Sequence, residues 1–101
     1  MRITIIPLGE NTVDYANEVC GILKEKLHIV NPKNMHISLK NEGGAGLRIK
    51  VAEENSTHII LLGTRECETG LIYLRKPEDR PMTIDNFVLR FQEDGWVVKL
   101  K

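Results

Sequence analysis

Residues 58–75 read HIILLGTRECETGLIYLR, and the fold turns on how the two apolar runs at the ends of this stretch are joined. HIILL, at 58–62, is an unbroken apolar segment closed by Gly63, the pattern of a strand buried on both faces. LIYL, at 71–74, is a second strand-like run. Residues 63–70 between them are too few for the helical crossover that parallel neighbours need. Read as a turn, they make the second strand run antiparallel to the first. That turn also carries Arg65, Glu66 and Glu68, with Arg75 just beyond, although a turn built on Gly70 requires none of these charges.

Outward from this pair, strands and helices alternate. Arg2-Ile3-Thr4-Ile5-Ile6 is β-branched and ends at Pro7 and Gly9, so it reads as a strand. Asn11 or Thr12 can cap a helix in which Val13, Ala16, Val19, Cys20, Leu23 and Leu27 recur at three- and four-residue steps. Leu27 to Val30 continues that helix or forms a short strand, and Asn31-Pro32 ends either. Met35 to Leu39 alternates as a half-buried strand, NEGGAG at 41–46 is a loop, and Leu47 to Glu54 is a short helix whose apolar face is Leu47, Ile49, Val51 and Ala52. Met82 to Ile84 is extended. Asp85 caps a helix carrying Phe87 and Phe91 that ends at Gly95, and Trp96 to Leu100 alternates as a terminal strand. The order β-α-β-α-β-β-(β)-α-β predicts an α/β layer structure with a largely parallel sheet.

A chain of 101 residues is sized for one domain, here 1–101 with 96–101 as a terminal strand or tail. Net charge is zero, so no global field points to nucleic acid or membrane. The charge is unevenly spread, however: Lys24, Lys26, Lys33, Lys40, Arg48 and Lys50 face only Glu25 and Glu42 over the same stretch. The apolar start is too short for a signal segment or a membrane span. Two cysteines in no metal or disulfide pattern suit a reducing, cytoplasmic setting.

Enzyme signatures are missing. NEGGAGLR lacks the Lys-Ser ending of a P-loop and the spacing of a dinucleotide fingerprint, although Gly43, Gly44 and Gly46 open a helix whose N–H groups suit a phosphate. His28, His36 and His58 fall on separate elements, with His36 and His58 read as strand residues at a sheet rim. Cys67 lies between two glutamates, which disfavour a thiolate. No metal and no cofactor is expected. The plain account of 63–75 is a surface turn laced with ion pairs worth roughly 0–1 kcal/mol each. The functional account places acceptors on Glu66 and Glu68 and donors on Arg65 and Arg75 at the carboxyl end of a strand, where α/β sheets bind ligands.

The stretch Gly63-Thr64-Arg65-Glu66-Cys67-Glu68-Thr69-Gly70-Leu71-Ile72-Tyr73-Leu74-Arg75 fits the pattern G-x-(K/R)-E-x-E-(S/T)-G-x-(V/I)-x-(V/L)-R at every fixed position. With ITIIPLGENTVDYANEV at the start, Ala45-Gly46-Leu47-Arg48-Ile49-Lys50 in the middle and MTIDNFV near the end, the chain resembles the anticodon-binding domain of class II aminoacyl-tRNA synthetases, the threonyl type most closely. The resemblance runs from Arg2 to about Phe91. It implies a three-layer α/β/α fold with a five-stranded mixed sheet, one strand antiparallel. It also implies anticodon recognition, with Glu66 and Arg75 reading splayed bases, Arg65 and Glu68 in the same pocket, and Lys40, Arg48 and Lys50 as a basic surface for the stem backbone. The chain departs from the pattern at Lys40-Asn41 and at Ser56-Thr57, and nothing in it corresponds to the family's catalytic and editing domains. The expected partner is therefore a tRNA anticodon loop, without catalysis, alongside a synthetase catalytic domain or a second copy. Two rival readings remain: a protein-interaction or dimerisation module of the same fold, suggested by neutral charge and the GWVVKL tail, and a flavodoxin-like nucleotide enzyme.

Overall fold

The structure, a computed structural model, describes residues 1–95; the expected strand at 96–101 and the position of Trp96 lie outside them. Among the described residues five strands form one sheet: β1 (Ile3–Pro7), β2 (Met35–Ile37), β3 (His58–Leu62), β4 (Ile72–Lys76) and β5 (Arg80–Met82), in the order β2-β1-β3-β4-β5. β1 pairs in parallel with β2 and β3, β4 runs antiparallel to β3, and β5 antiparallel to β4. One strand, β4, thus opposes the other four. The helices are α1 (Val13–Lys26), α2 (Ala45–Asn55), α3 (Thr64–Thr69) and α4 (Ile84–Glu93).

Period-two alternation divides the strands between two cores. Ile3, Ile5, Ile60, Leu62, Ile72 and Leu74 pack with α1 and α4 through Val19, Leu23, Phe87 and Phe91. Ile6 and Ile59 pack on the other face with Ala52 of α2, joined by the half-buried Ile49 and Leu61. That is the three-layer α/β/α arrangement, and β1 is buried at all five positions because helices cover both its faces.

The chain between β3 and β4 is not a turn but the helix α3. Gly63 precedes it, the Glu66 carboxylate accepts the Gly63 N–H at 2.8 Å, and Gly70 closes it at φ 73°, a left-handed conformation that glycine adopts without strain. Its six residues reverse the chain and still leave β4 antiparallel. Two smaller differences concern caps and burial. Thr83, not Asp85, caps α4, its hydroxyl accepting from Asn86 N–H at 3.0 Å. His58 is not at a rim: it is 3% exposed, with its ring 5.0 Å from that of Phe91 and 5.9 Å from that of Phe87, and its Nδ1 is 2.8 Å from Thr57 Oγ1.

Burial drives the His58 pKa down from 6.5 to about 4, so the fold holds the ring neutral while the unfolded chain takes up a proton. The stabilisation from the neutral ring is complete above about pH 6.5 and is lost as the pH falls towards 4, a change of about 3 kcal/mol. Urea midpoints measured from pH 7 to pH 4 should drop accordingly, and His58→Leu should flatten the dependence whatever it does to absolute stability. An unaltered slope in that variant would assign the acid sensitivity to other groups.

Candidate functional site

The two faces of the sheet are not equally covered. On the α2 side, α2 packs on β1 and β3, while further along the sheet Tyr73 is half-buried and Arg75 and Pro81 are exposed. Leu61 of β3, Tyr73 of β4 and Pro81 of β5 are register partners, so their side chains form a row that runs from the edge of the α2 core, at Leu61, out across this open face.

Arg75 lies at one end of the face. Ile60 pairs with Leu74 and Ile59 with Lys76, so Arg75 is an extra residue on β4, the geometry of a β-bulge. The bulge lets consecutive residues both reach α2. Arg75 Nη2 meets Glu53 Oε1 at 3.3 Å and its Nη1 meets Asp79 Oδ1 at 3.4 Å. Lys76 Nζ donates to the carbonyls of Glu53 at 3.0 Å and Ser56 at 2.9 Å, a cation at the negative end of the α2 dipole. Glu53, Arg75 and Lys76 line a shallow depression. Lys50, exposed and one turn before Glu53 on α2, lies on the same side of that helix.

Glu66 lies at the other end. α3 is fixed above the carboxyl end of β3 by Asn11 Nδ2, which donates to Thr64 Oγ1 at 3.1 Å, and by the Tyr15 hydroxyl, which donates to Leu71 O at 2.9 Å. Burial, then the nearby Glu18, Cys67 and Glu66, raise the Tyr15 pKa. Tyr73 lies between the two ends. Its hydroxyl donates to Asp79 Oδ1 at 2.8 Å; that bond chiefly raises its pKa, and of the more distant charges Arg75 lowers it and Glu66 raises it.

The four charges of 63–75 therefore do not crowd one rim. Arg75 is four residues along β4 from Leu71, about 13 Å of extended chain, and belongs with the start of β3. Glu66 belongs with its end. Arg65 and Glu68 stay with Glu66 on α3, both exposed and, among the described residues, without an ion-pair partner. Lys40 is exposed on a separate loop and meets Glu10 at 3.7 Å.

Arg48 is not part of a basic surface. It is 6% exposed, and its Nη1 donates to Pro7 O at 3.0 Å and Ser38 O at 2.7 Å, tying the end of β1 to the chain leaving β2. α2 is rotated accordingly, with Arg48 and Ala52 inward and Leu47 and Val51 about half exposed. The glycine-rich loop does open α2: Gly44 is its N-cap without a side-chain cap, beside a cleft lined by Pro7, Leu8, Lys40, Gly44 and Ala45. Sequence reasoning passed over Tyr73, Lys76 and Asp79. A tyrosine two residues before the motif's final arginine was the available signal for the first, since alternation places them on one face.

Among the described residues no cluster of His, Cys, Asp and Glu could hold a metal, and no helix is long and apolar enough to cross a membrane. No protein-family model matches the chain, and no curated protein matches it in sequence. In fold it is similar to the crystal structure of the RNA binding domain of threonyl-tRNA synthetase from Cryptosporidium parvum Iowa II, with a TM-score of 0.65 and 17% sequence identity. The match covers 91% of this chain and 23% of that one, so the chain spans about a quarter of its neighbour's length.

If Arg48 is a clamp, Arg48→Met should destabilise the protein by roughly 2–4 kcal/mol, because two buried carbonyls lose their donor. Lys50→Ala, on the exposed side, should change stability by less than about 0.5 kcal/mol. Urea denaturation of the two variants checks both figures, and equal stabilities would show the clamp to be dispensable.

Proposed function

We propose that the open face across β4 and β5, flanked by α2 and α3, binds single-stranded RNA, specifically the anticodon loop of a tRNA, and that residues 1–101 act as one RNA-holding domain without catalysis of their own. The observation that carries this reading is the placement of Glu66 and Arg75 at opposite ends of one uncovered sheet face, in a fold similar to that of a synthetase RNA-binding domain. The separation suits splayed bases better than a single pocket would, since unpaired bases are read one by one on their edges. Glu66 offers acceptors to exocyclic amino groups, and Arg75 offers a planar donor fork. Lys50, Arg65 and Lys40, all exposed, suit backbone phosphates, and Glu68 lies one turn of α3 from Arg65. On this reading the chain serves translation in the cytoplasm, as the tRNA-holding part of a threonyl-type synthetase or as a free-standing partner of one.

Glu66 also caps α3, so an alanine there would blur loss of recognition with loss of structure. Glu66→Gln keeps a capping oxygen for the Gly63 N–H and alters only the edge presented to a base. In anisotropy titrations with anticodon stem-loops, the wild type should bind at low salt and weaken as salt rises. Glu66→Gln should reduce discrimination among loop sequences about tenfold, whereas Lys50→Ala should weaken all loops alike. A wild-type protein that ignores loop sequence, or that binds no stem-loop at low salt, would overturn the proposal.

A further inference from the structure

The row across the open face contains one residue that edge reading by Glu66 and Arg75 leaves unused. Tyr73 lies between Leu61 and Pro81, its register partners, on the face that α2 leaves uncovered. Neither neighbour carries a hydrogen-bonding side chain, so what this row offers a ligand is apolar surface and one aromatic ring. The ring is also held in place. Its hydroxyl donates to Asp79 Oδ1 at 2.8 Å, and Asp79 is in turn paired with Arg75 Nη1 at 3.4 Å. A side chain tethered at its tip has little rotamer freedom left to lose when a ligand arrives.

A flat, fixed ring with an acceptor towards one end and a donor fork towards the other matches a particular ligand chemistry. Nucleobases are planar and carry donors and acceptors on their edges, and a base unstacked from its neighbours has a free face to cover. A paired duplex exposes no such face. We propose that Tyr73 is a stacking platform for one unpaired nucleobase, holding it between the groups that read the bases on either side. This rests on the RNA-binding reading above and adds to it the residue that seats a base. The Asp79–Arg75 pair acquires a role here too: Asp79 holds the ring by its hydroxyl and meets Arg75 at Nη1, so platform and reader are aligned by one carboxylate.

The test uses the full chain and a labelled anticodon stem-loop at low salt. Tyr73→Leu removes the ring but keeps an apolar strand residue, and Tyr73→Phe keeps the ring but cuts the tether; circular dichroism and urea denaturation establish that each is folded. Tyr73→Leu should weaken stem-loop binding about 10- to 100-fold, while Tyr73→Phe should stay within about threefold. Replacing loop nucleotides one at a time by abasic sites should identify one position whose loss costs the wild type about as much as Tyr73→Leu does, and costs the Tyr73→Leu protein nothing more. If Tyr73→Leu binds as well as or better than the wild type while Glu66→Gln still reduces discrimination, the stacking role is wrong and the RNA-binding reading stands. If the wild type binds no stem-loop, both fall together.

Discussion

The direction of β4 is the constraint from which the rest of the molecule follows. Each parallel connection must carry the chain back across the sheet, and in doing so it lays a helix on one face: α1 between β1 and β2, α2 between β2 and β3. The connection from β3 to β4 needs no such return. α3 is six residues long and stays at the end of β3, so among the described residues no helix is laid on the α2 face beyond β3. α4, which follows β5, packs through Phe87 and Phe91 on the opposite side with α1. The row that leaves the α2 core at Leu61 and continues through Tyr73 and Pro81 is thus a consequence of topology, and Tyr73 and Pro81 are free to be chosen for something other than a core.

Much of this architecture was legible in the sequence, because the signals behind it are periodicities. HIILL reads best as a buried strand, the α1 spacing is regular over four turns, and the short 63–70 link makes an adjacent second strand antiparallel. α3 escaped notice for a physical reason. TRECET has no apolar face and is too short to be helical by propensity; it is helical because its ends are satisfied, at Gly63 by the Glu66 carboxylate and at Gly70 by a left-handed residue. The sequence signal was present as a glycine followed three residues later by glutamate, which reads as easily as an exposed turn.

Arg48 shows the opposite kind of failure. In AGLRIKVAEE the apolar residues Leu47, Ile49, Val51 and Ala52 do not all fit one helical stripe, and the phase of α2 is decided elsewhere. Pro7 ends β1 and Ser38 follows β2, and Arg48 donates to both carbonyls from the inner side of α2, which leaves Leu47 and Val51 about half exposed. A charged residue in an amphipathic pattern reads as solvent-facing unless the acceptors it will meet are known, and those come from segments distant in sequence. For the same reason the separation of Arg75 from Glu66 was invisible: both belong to one motif, yet a strand carries them to opposite ends of the sheet.

The electrostatics of the open face constrain what it can recognise. Arg75 is already engaged by Glu53 and Asp79, and Lys76 by the carboxyl end of α2. Such cations are poor general phosphate binders, because each new contact must replace one already made, and the overall charge of zero supplies no field to offset that cost. Exchange is favourable only for a partner that returns the same hydrogen bonds in the same geometry. Planar groups with fixed donors and acceptors do so, and flexible phosphates do so less well. A neutral, pre-paired face is therefore suited to selectivity more than to indiscriminate affinity. On the proposed reading, phosphate contacts fall to the exposed Lys40, Lys50 and Arg65, and discrimination between bases falls to Glu66 and Arg75, with Tyr73 seating a base between them.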